Sequence, residues 1–196
     1  VESRFYWRGN DVGLDLVNTE AVDGNGAPLE LLTDPDAVLE WAAEAGIADG
    51  ALVEACRCLP RRQAAALLTW TRQLRSSARA VVDPAGETSA DALAELAALL
   101  GQVPVRLTVP PRGLDGGLPV VASAPIDRVR LGLARAVIDT LALDRSRIRR
   151  CEGERCVLLY YDTSRNRSRR WCDMAACGNR AKAAAHYARA KAGRAR

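Results

Sequence analysis

Apolar residues recur at helical spacing through most of the first 144 positions, and turn formers separate the runs. Leu14, Val17 and Ala21 share one helical face, which predicts a short helix leading into the turn Asp23-Gly24-Asn25-Gly26. Thr33-Asp34-Pro35 reads as a cap with proline in the first turn. Val38, Trp41, Ala42 and Ala45 follow on one face, and Gly46 stops that helix. The stretch 48–82 is rich in Ala, Leu and Arg and is divided by Pro60. Two helices are expected there, the second long and amphipathic. After the turn 83–86, Thr88 or Ser89 caps another helix to about Leu100. The period then changes: 103–109 and 118–123 alternate as strands, joined by a loop over 112–117. Pro125 opens a long helix through Leu143, with Val129, Leu133, Val137 and Leu141 on one face. The fold class is therefore α+β. Residues 1–144 form a mainly helical domain with a small sheet.

Residues 145–196 follow another pattern. Alanine aside, their large apolar residues are Ile148, Val157, Leu158, Leu159, Tyr160, Tyr161, Trp171, Met174 and Tyr187. A segment of about 50 residues with so thin a core needs a metal or disulfides to fold. The order within it is a strand over 157–162, a polar turn over 163–168 and a second strand over 169–172. An Ala/Lys/Arg helix then runs from Gly178 to about Lys191.

Charge sharpens the division. Residues 1–144 hold 13 Lys and Arg against 20 Asp and Glu, a net −7, whereas residues 145–196 hold 15 against 4, a net +11. Such asymmetry points to a module that meets a polyanion. Thirteen of those 15 cations are arginine, the better clamp for phosphate and guanine, although the whole chain favours Arg over Lys. No apolar run approaches the roughly 18 residues of a membrane span, so no membrane partner is expected. No basic stretch followed by an apolar run opens the chain, and the expected location is cytoplasmic and nucleoid-associated.

Four of the six cysteines, Cys151, Cys156, Cys172 and Cys177, fall in the spacing C-x4-C-x15-C-x4-C. Two close pairs some 15 residues apart are the signature of a four-thiolate zinc site. Two disulfides, or ordinary buried thiols, are the alternatives; disulfides are rare in the cytosol. Four thiolates leave no open place for water or substrate, so one structural Zn2+ per chain is expected. A knuckle, a hairpin, a second knuckle and a helix starting at the last ligand make a treble-clef zinc finger.

At these residues the chain resembles a known family. The run from Tyr161 to Arg180, ending Cys177-Gly-Asn-Arg180 with Cys151 and Cys156 ahead of it, closely resembles the CGNR zinc finger. Leu14-Asp-Leu-Val-Asn-Thr-Glu20, with Leu31-Leu32 and Leu39-Glu-Trp41, looks like the ABATE domain that precedes that finger. The resemblance implies a bacterial, stress-related transcription regulator. Its finger would bind DNA and its N-terminal domain a small ligand.

Candidate DNA contacts are Arg165, Arg167, Arg169 and Arg170 on the turn and following strand, for phosphate. Asn179, Arg180, Lys182, His186 and Arg189 lie on the helix, where they would meet bases or backbone. The same residues admit other roles. Asn179 and Arg180 follow a zinc ligand and could hold the fold, and a strand arginine could pair with the acidic domain. Arg8, Asn10, Asn18 and Thr19 are polar groups beside apolar helix residues and are candidate ligand contacts, or else caps and loop ties. A homodimer is a further possible partner. One histidine and no partnered nucleophile argue against an enzyme. The alternative function is an enzyme or small-molecule-binding protein, with its pocket in residues 1–144 and the finger as scaffold.

Overall fold

The computed structural model describes residues 3–86, 88–107 and 120–194. Helix α1 (Val12–Val17) is capped by Asp11, whose carboxylate accepts the Leu14 N–H at 2.9 Å. Its Leu14, Leu16 and Val17 are at most 1% exposed, so this short segment is the centre of the molecule. It crosses α6 (Pro125–Leu141) so closely that a Cβ on Gly13 would stand 2.1 Å from the Thr140 hydroxyl oxygen. Only glycine fits that crossing. Around this pair pack α2 (Pro35–Glu44), α3 (Gly50–Arg57), the 22-residue α4 (Arg61–Val82) and α5 (Ala90–Leu100). Asp34, Asp49 and Ser89 cap α2, α3 and α5 with side-chain oxygens, and Pro35 opens α2 as expected.

Two expectations are corrected here. The helix predicted from Leu14 to Ala21 stops at Val17, and the chain turns into a hairpin, β1 (Glu20–Val22) against β2 (Pro28–Glu30). Asn18 caps α1, and the Asp23 carboxylate accepts the Asn25 and Ala27 N–H groups to close the turn, with Gly26 at φ 87°. The other small sheet pairs β3 (Arg106–Leu107) with β4 (Val120–Val121); the expected loop 112–117 lies outside the described residues.

The second correction concerns the finger. Strand β6 (Leu159–Tyr161) does not pair with 169–172. Its antiparallel partner is β5 (Ile148–Arg150), which lies ahead of the first cysteine. The other edge of β6 is already occupied. The Asn18 amide donates to the Leu159 carbonyl and accepts the Leu159 N–H, both at 2.8 Å. The Tyr161 N–H donates to the Gly9 carbonyl at 2.7 Å, and Asn10 donates to the Tyr161 carbonyl at 3.1 Å. Residues 169–172 instead lie beside 151–153, with the Glu152 N–H donating to the Arg170 carbonyl at 2.9 Å.

The finger is thus joined to the helical domain through one interior. Ile148 and Leu159 belong to the main core, while Ala21 of β1 belongs to the cysteine cluster with Leu158 and Tyr160. Arg79 of α4 ties the halves, donating to the Val17, Glu20 and Val157 carbonyls at 3.0 to 3.1 Å. After a wide turn at Met174–Gly178, α7 (Asn179–Arg194) leaves the body.

Candidate metal centre and nucleic-acid interface

Two loops bring the four cysteines together. The first runs from Cys151 at the end of β5 to Cys156, with the Cys151 N–H donating to the Leu158 carbonyl at 3.0 Å. Arg155 takes a left-handed φ of 61° there. A Cβ on Gly153 would meet the Cys177 Sγ at 3.0 Å and the Cys151 Sγ at 3.3 Å, so any larger residue at this position would press on the sulfurs. The second loop runs from Cys172 to Cys177, where Asp173 accepts the Ala176 N–H at 2.9 Å and starts the turn that delivers Cys177.

All four sulfurs lie within 4.8 Å of one another. Cys172 Sγ is 3.8 Å from both Cys156 Sγ and Cys177 Sγ. Thiolates placed tetrahedrally about 2.3 Å from an ion stand about 3.8 Å apart, while a disulfide would require roughly 2 Å. The donor set therefore fits a tetrahedral thiophilic cation. Hydrogen bonds from the Cys156 and Cys172 thiols, and from the Cys172 and Gly153 backbone, hold Cys151 well below the usual thiol range. Donating a hydrogen bond to that sulfur pushes the Cys156 and Cys172 thiols upward, and burial adds to it. A central divalent ion relieves the conflict by letting all four ionise.

The predicted cations of the finger divide into two sets. Arg169 is a brace. Its guanidinium donates to the Trp171 carbonyl at 2.9 Å, the Arg8 carbonyl at 3.2 Å and the Cys172 carbonyl, and lies 4.3 Å from the Tyr160 ring centre. Arg170 pairs with Glu152 at 2.6 Å, and Arg167 reaches Ser146 at 3.0 Å and Asp144 at 3.3 Å. Arg165, Asn179, Arg180, Lys182, His186 and Arg189 are exposed, and the His186 ring stands edge-on to Tyr187 at 6.0 Å.

Residues 10–144 match the ABATE family model, described as "Putative stress-induced transcription regulator", and residues 147–190 match the CGNR zinc finger. The chain belongs to the ABATE family. No curated protein matches it. In this ABATE chain the tetrad Cys151, Cys156, Cys172 and Cys177 is the metal site of a CGNR finger, and its ion is a structural zinc. Among the described residues no helix is long and apolar enough to cross a membrane.

The four candidate ligand contacts do not converge on an open pocket. Asn18 is 0% exposed, with its amide committed to Leu159, and Asn10 serves Tyr161. The Thr19 hydroxyl donates to the Leu16 carbonyl at 2.7 Å. Arg8 pairs with Asp173 at 3.3 Å and lies over the Tyr6 ring. Asn10, Asn18 and Arg8 dock the finger onto the helical domain, whereas Thr19, which also accepts from Arg75 at 3.2 Å, is tied within that domain. Sequence reasoning missed Arg79, which does the same work, and Arg147, which braces the finger's own turn. Arg147 donates to the Asp162 and Ser164 carbonyls at 2.9 and 3.2 Å. Nothing in their sequence context separates them from surface arginines.

Proposed function

We propose that this ABATE-family chain is a DNA-binding transcription regulator that acts without catalysis, its zinc fixing the shape of the binding surface. The observation that supports this reading is α7. Every residue from Lys182 to Lys191 is exposed, and no acidic residue follows Asp173. At about 100° per residue, Lys182 and Arg189 fall on one flank and Arg180 and Lys191 on the other. Ala181, Ala185 and Ala188 lie between the flanks. A helix with a face of small residues and cations on both sides suits the major groove, where the flanks reach the two phosphate backbones. Arg165 on the finger's turn adds a further phosphate contact. A small ligand on the helical domain is the other half of the reading, because β5 grows from that domain's core at Ile148.

Fluorescence anisotropy of the full zinc-loaded chain on labelled duplexes, over a salt series, tests the DNA half. Five neutralised phosphates give a log–log salt slope of about −4.5. Absence of binding at low salt overturns it.

A further inference from the structure

A groove of about 280 Å³ lies between the end of α4, the start of α5 and the end of α6, lined by Val81, Val82, Leu93, Leu141, Leu143 and Ile148. It shares none of its lining with the metal centre or with α7. Two of its rim leucines are unusually open: Leu93 is 48% and Leu141 39% exposed. Apolar surface left in water beside a concave site is the mark of a binding groove.

The polar groups in the lining narrow the choice of ligand. The Thr88 hydroxyl donates to the Val81 carbonyl at 3.0 Å. The Thr140 hydroxyl is taken by Asp11 and the Ala136 carbonyl. Neither offers a proton to a ligand. Arg145 is the remaining polar side chain at the groove. Its neighbour Asp144 faces Arg147 and Arg167, and among the described residues no carboxylate lies within 4 Å of the Arg145 guanidinium. A sugar or nucleotide would leave its hydroxyls and amides unpaired against this wall. A molecule with a chain or ring body and one carboxylate head would not, and the fork of a guanidinium matches that head.

We propose that this groove binds a small monocarboxylate with an apolar body, its head on Arg145 and its body against Leu93, Leu141 and Ile148. The site deepens the ligand-sensing half of the function proposed above and is independent of the DNA half.

Octanoate and its neutral counterpart 1-octanol, titrated into the full zinc-loaded chain by calorimetry and 1H–15N NMR, test the assignment. Octanoate should shift the signals of Val81, Leu93, Leu143 and Ile148. Arg145→Gln should weaken octanoate roughly tenfold, the worth of one charge-assisted hydrogen bond, and leave 1-octanol within about twofold. Leu93→Glu should abolish octanoate binding while the circular dichroism stays that of the parent. The proposal is overturned by unchanged octanoate affinity in folded Arg145→Gln, by shifts that map elsewhere, or by no shift at ~10 mM octanoate. Sedimentation showing a dimer that Leu93→Glu dissociates would also overturn it, giving the groove to a second copy. Duplex anisotropy is a separate readout, so loss of either half leaves the other standing.

Discussion

The body of the finger and the helix that leaves it are built from the same arginine-rich sequence, yet they use their cations in opposite ways. Between 147 and 170 most guanidinium groups are turned inward or sideways. Arg147 and Arg169 hold carbonyls, Arg150 pairs with Asp83 at 3.0 Å, Arg155 donates to the Asn25 carbonyl, and Arg170 pairs with Glu152. From Lys182 to Lys191 the side chains stand in solvent and no acid is near in sequence. A net +11 over residues 145–196 is therefore not a measure of a binding face. Part of it replaces the hydrophobic core that so small a module lacks, the Arg147 and Arg169 guanidinium groups each satisfying two or more carbonyls that would otherwise be left unpaired.

The largest effect should come from breaking the frame that separates the two uses. Cys172→Ser should abolish zinc retention, read by elemental analysis. It should also lower Tm by more than about 10 °C, since structural zinc supplies a large share of such a module's folding energy. Because Ile148 and Leu159 sit in the main core, the near-ultraviolet signal of Trp41 and Trp70 should change as well. An unaltered signal would show two independent bodies. Next come the inward arginine and its docking partner. Arg169→Ala should cost about 3 kcal/mol by denaturant titration and leave the salt slope for DNA unaltered, the behaviour of a brace. Asn18→Ala, which strands the N–H and carbonyl of Leu159, should cost about 2 kcal/mol.

Asp15 gives a smaller effect that depends on pH. Burial raises its carboxyl from 3.8 to about 6, against the pull of the Gly9 and Arg8 N–H groups. A raised carboxyl binds its proton more tightly in the folded chain. Its stabilising contribution is complete below about 4 and is lost as pH rises through about 6. Between pH 5 and 7 the parent should lose about 1 kcal/mol relative to Asp15→Asn, measured by paired chemical denaturation with zinc present. A constant difference across that window would place the carboxyl at its ordinary value. Smallest in stability are Lys182→Ala and Arg189→Ala, within about 0.5 kcal/mol of the parent. Each should still flatten the salt slope by about one unit, and equal slopes would erase the distinction between the two regions.

The parts legible in the sequence are those written in short spacings. The metal tetrad was readable because ligands with four residues between them close a knuckle by themselves. Asp34-Pro35 and Ser89 marked helix starts because a cap acts on its own next turn. What failed depends on distant partners. Glu20-Ala21-Val22 is too short to show alternation, and Ala21 also fits a helical face. Ile148 is the only buried residue of β5, so no strand period announces it. The run 157–162 invited a hairpin with 169–172, because nothing near Leu159 reveals that Asn18 will cover that edge of β6. Arg169 looks like any other arginine of the turn until the carbonyls of Arg8, Trp171 and Cys172 are placed around it.

The clasp between Asn18 and Leu159 also bears on how the chain is made. The two residues are 141 positions apart, and α1 cannot complete its surroundings until the strand that receives Asn18 has been synthesised. At roughly 5–20 residues per second, that leaves the first helix waiting about 7 to 28 seconds beside the growing chain. Leu14, Leu16 and Val17, almost wholly covered in the finished molecule, face that interval without Leu159 to close over them. The helical domain is then a late product of translation rather than an early one, and a ribosome stalled before residue 159 would hold a nascent chain with part of its interior open to chaperones.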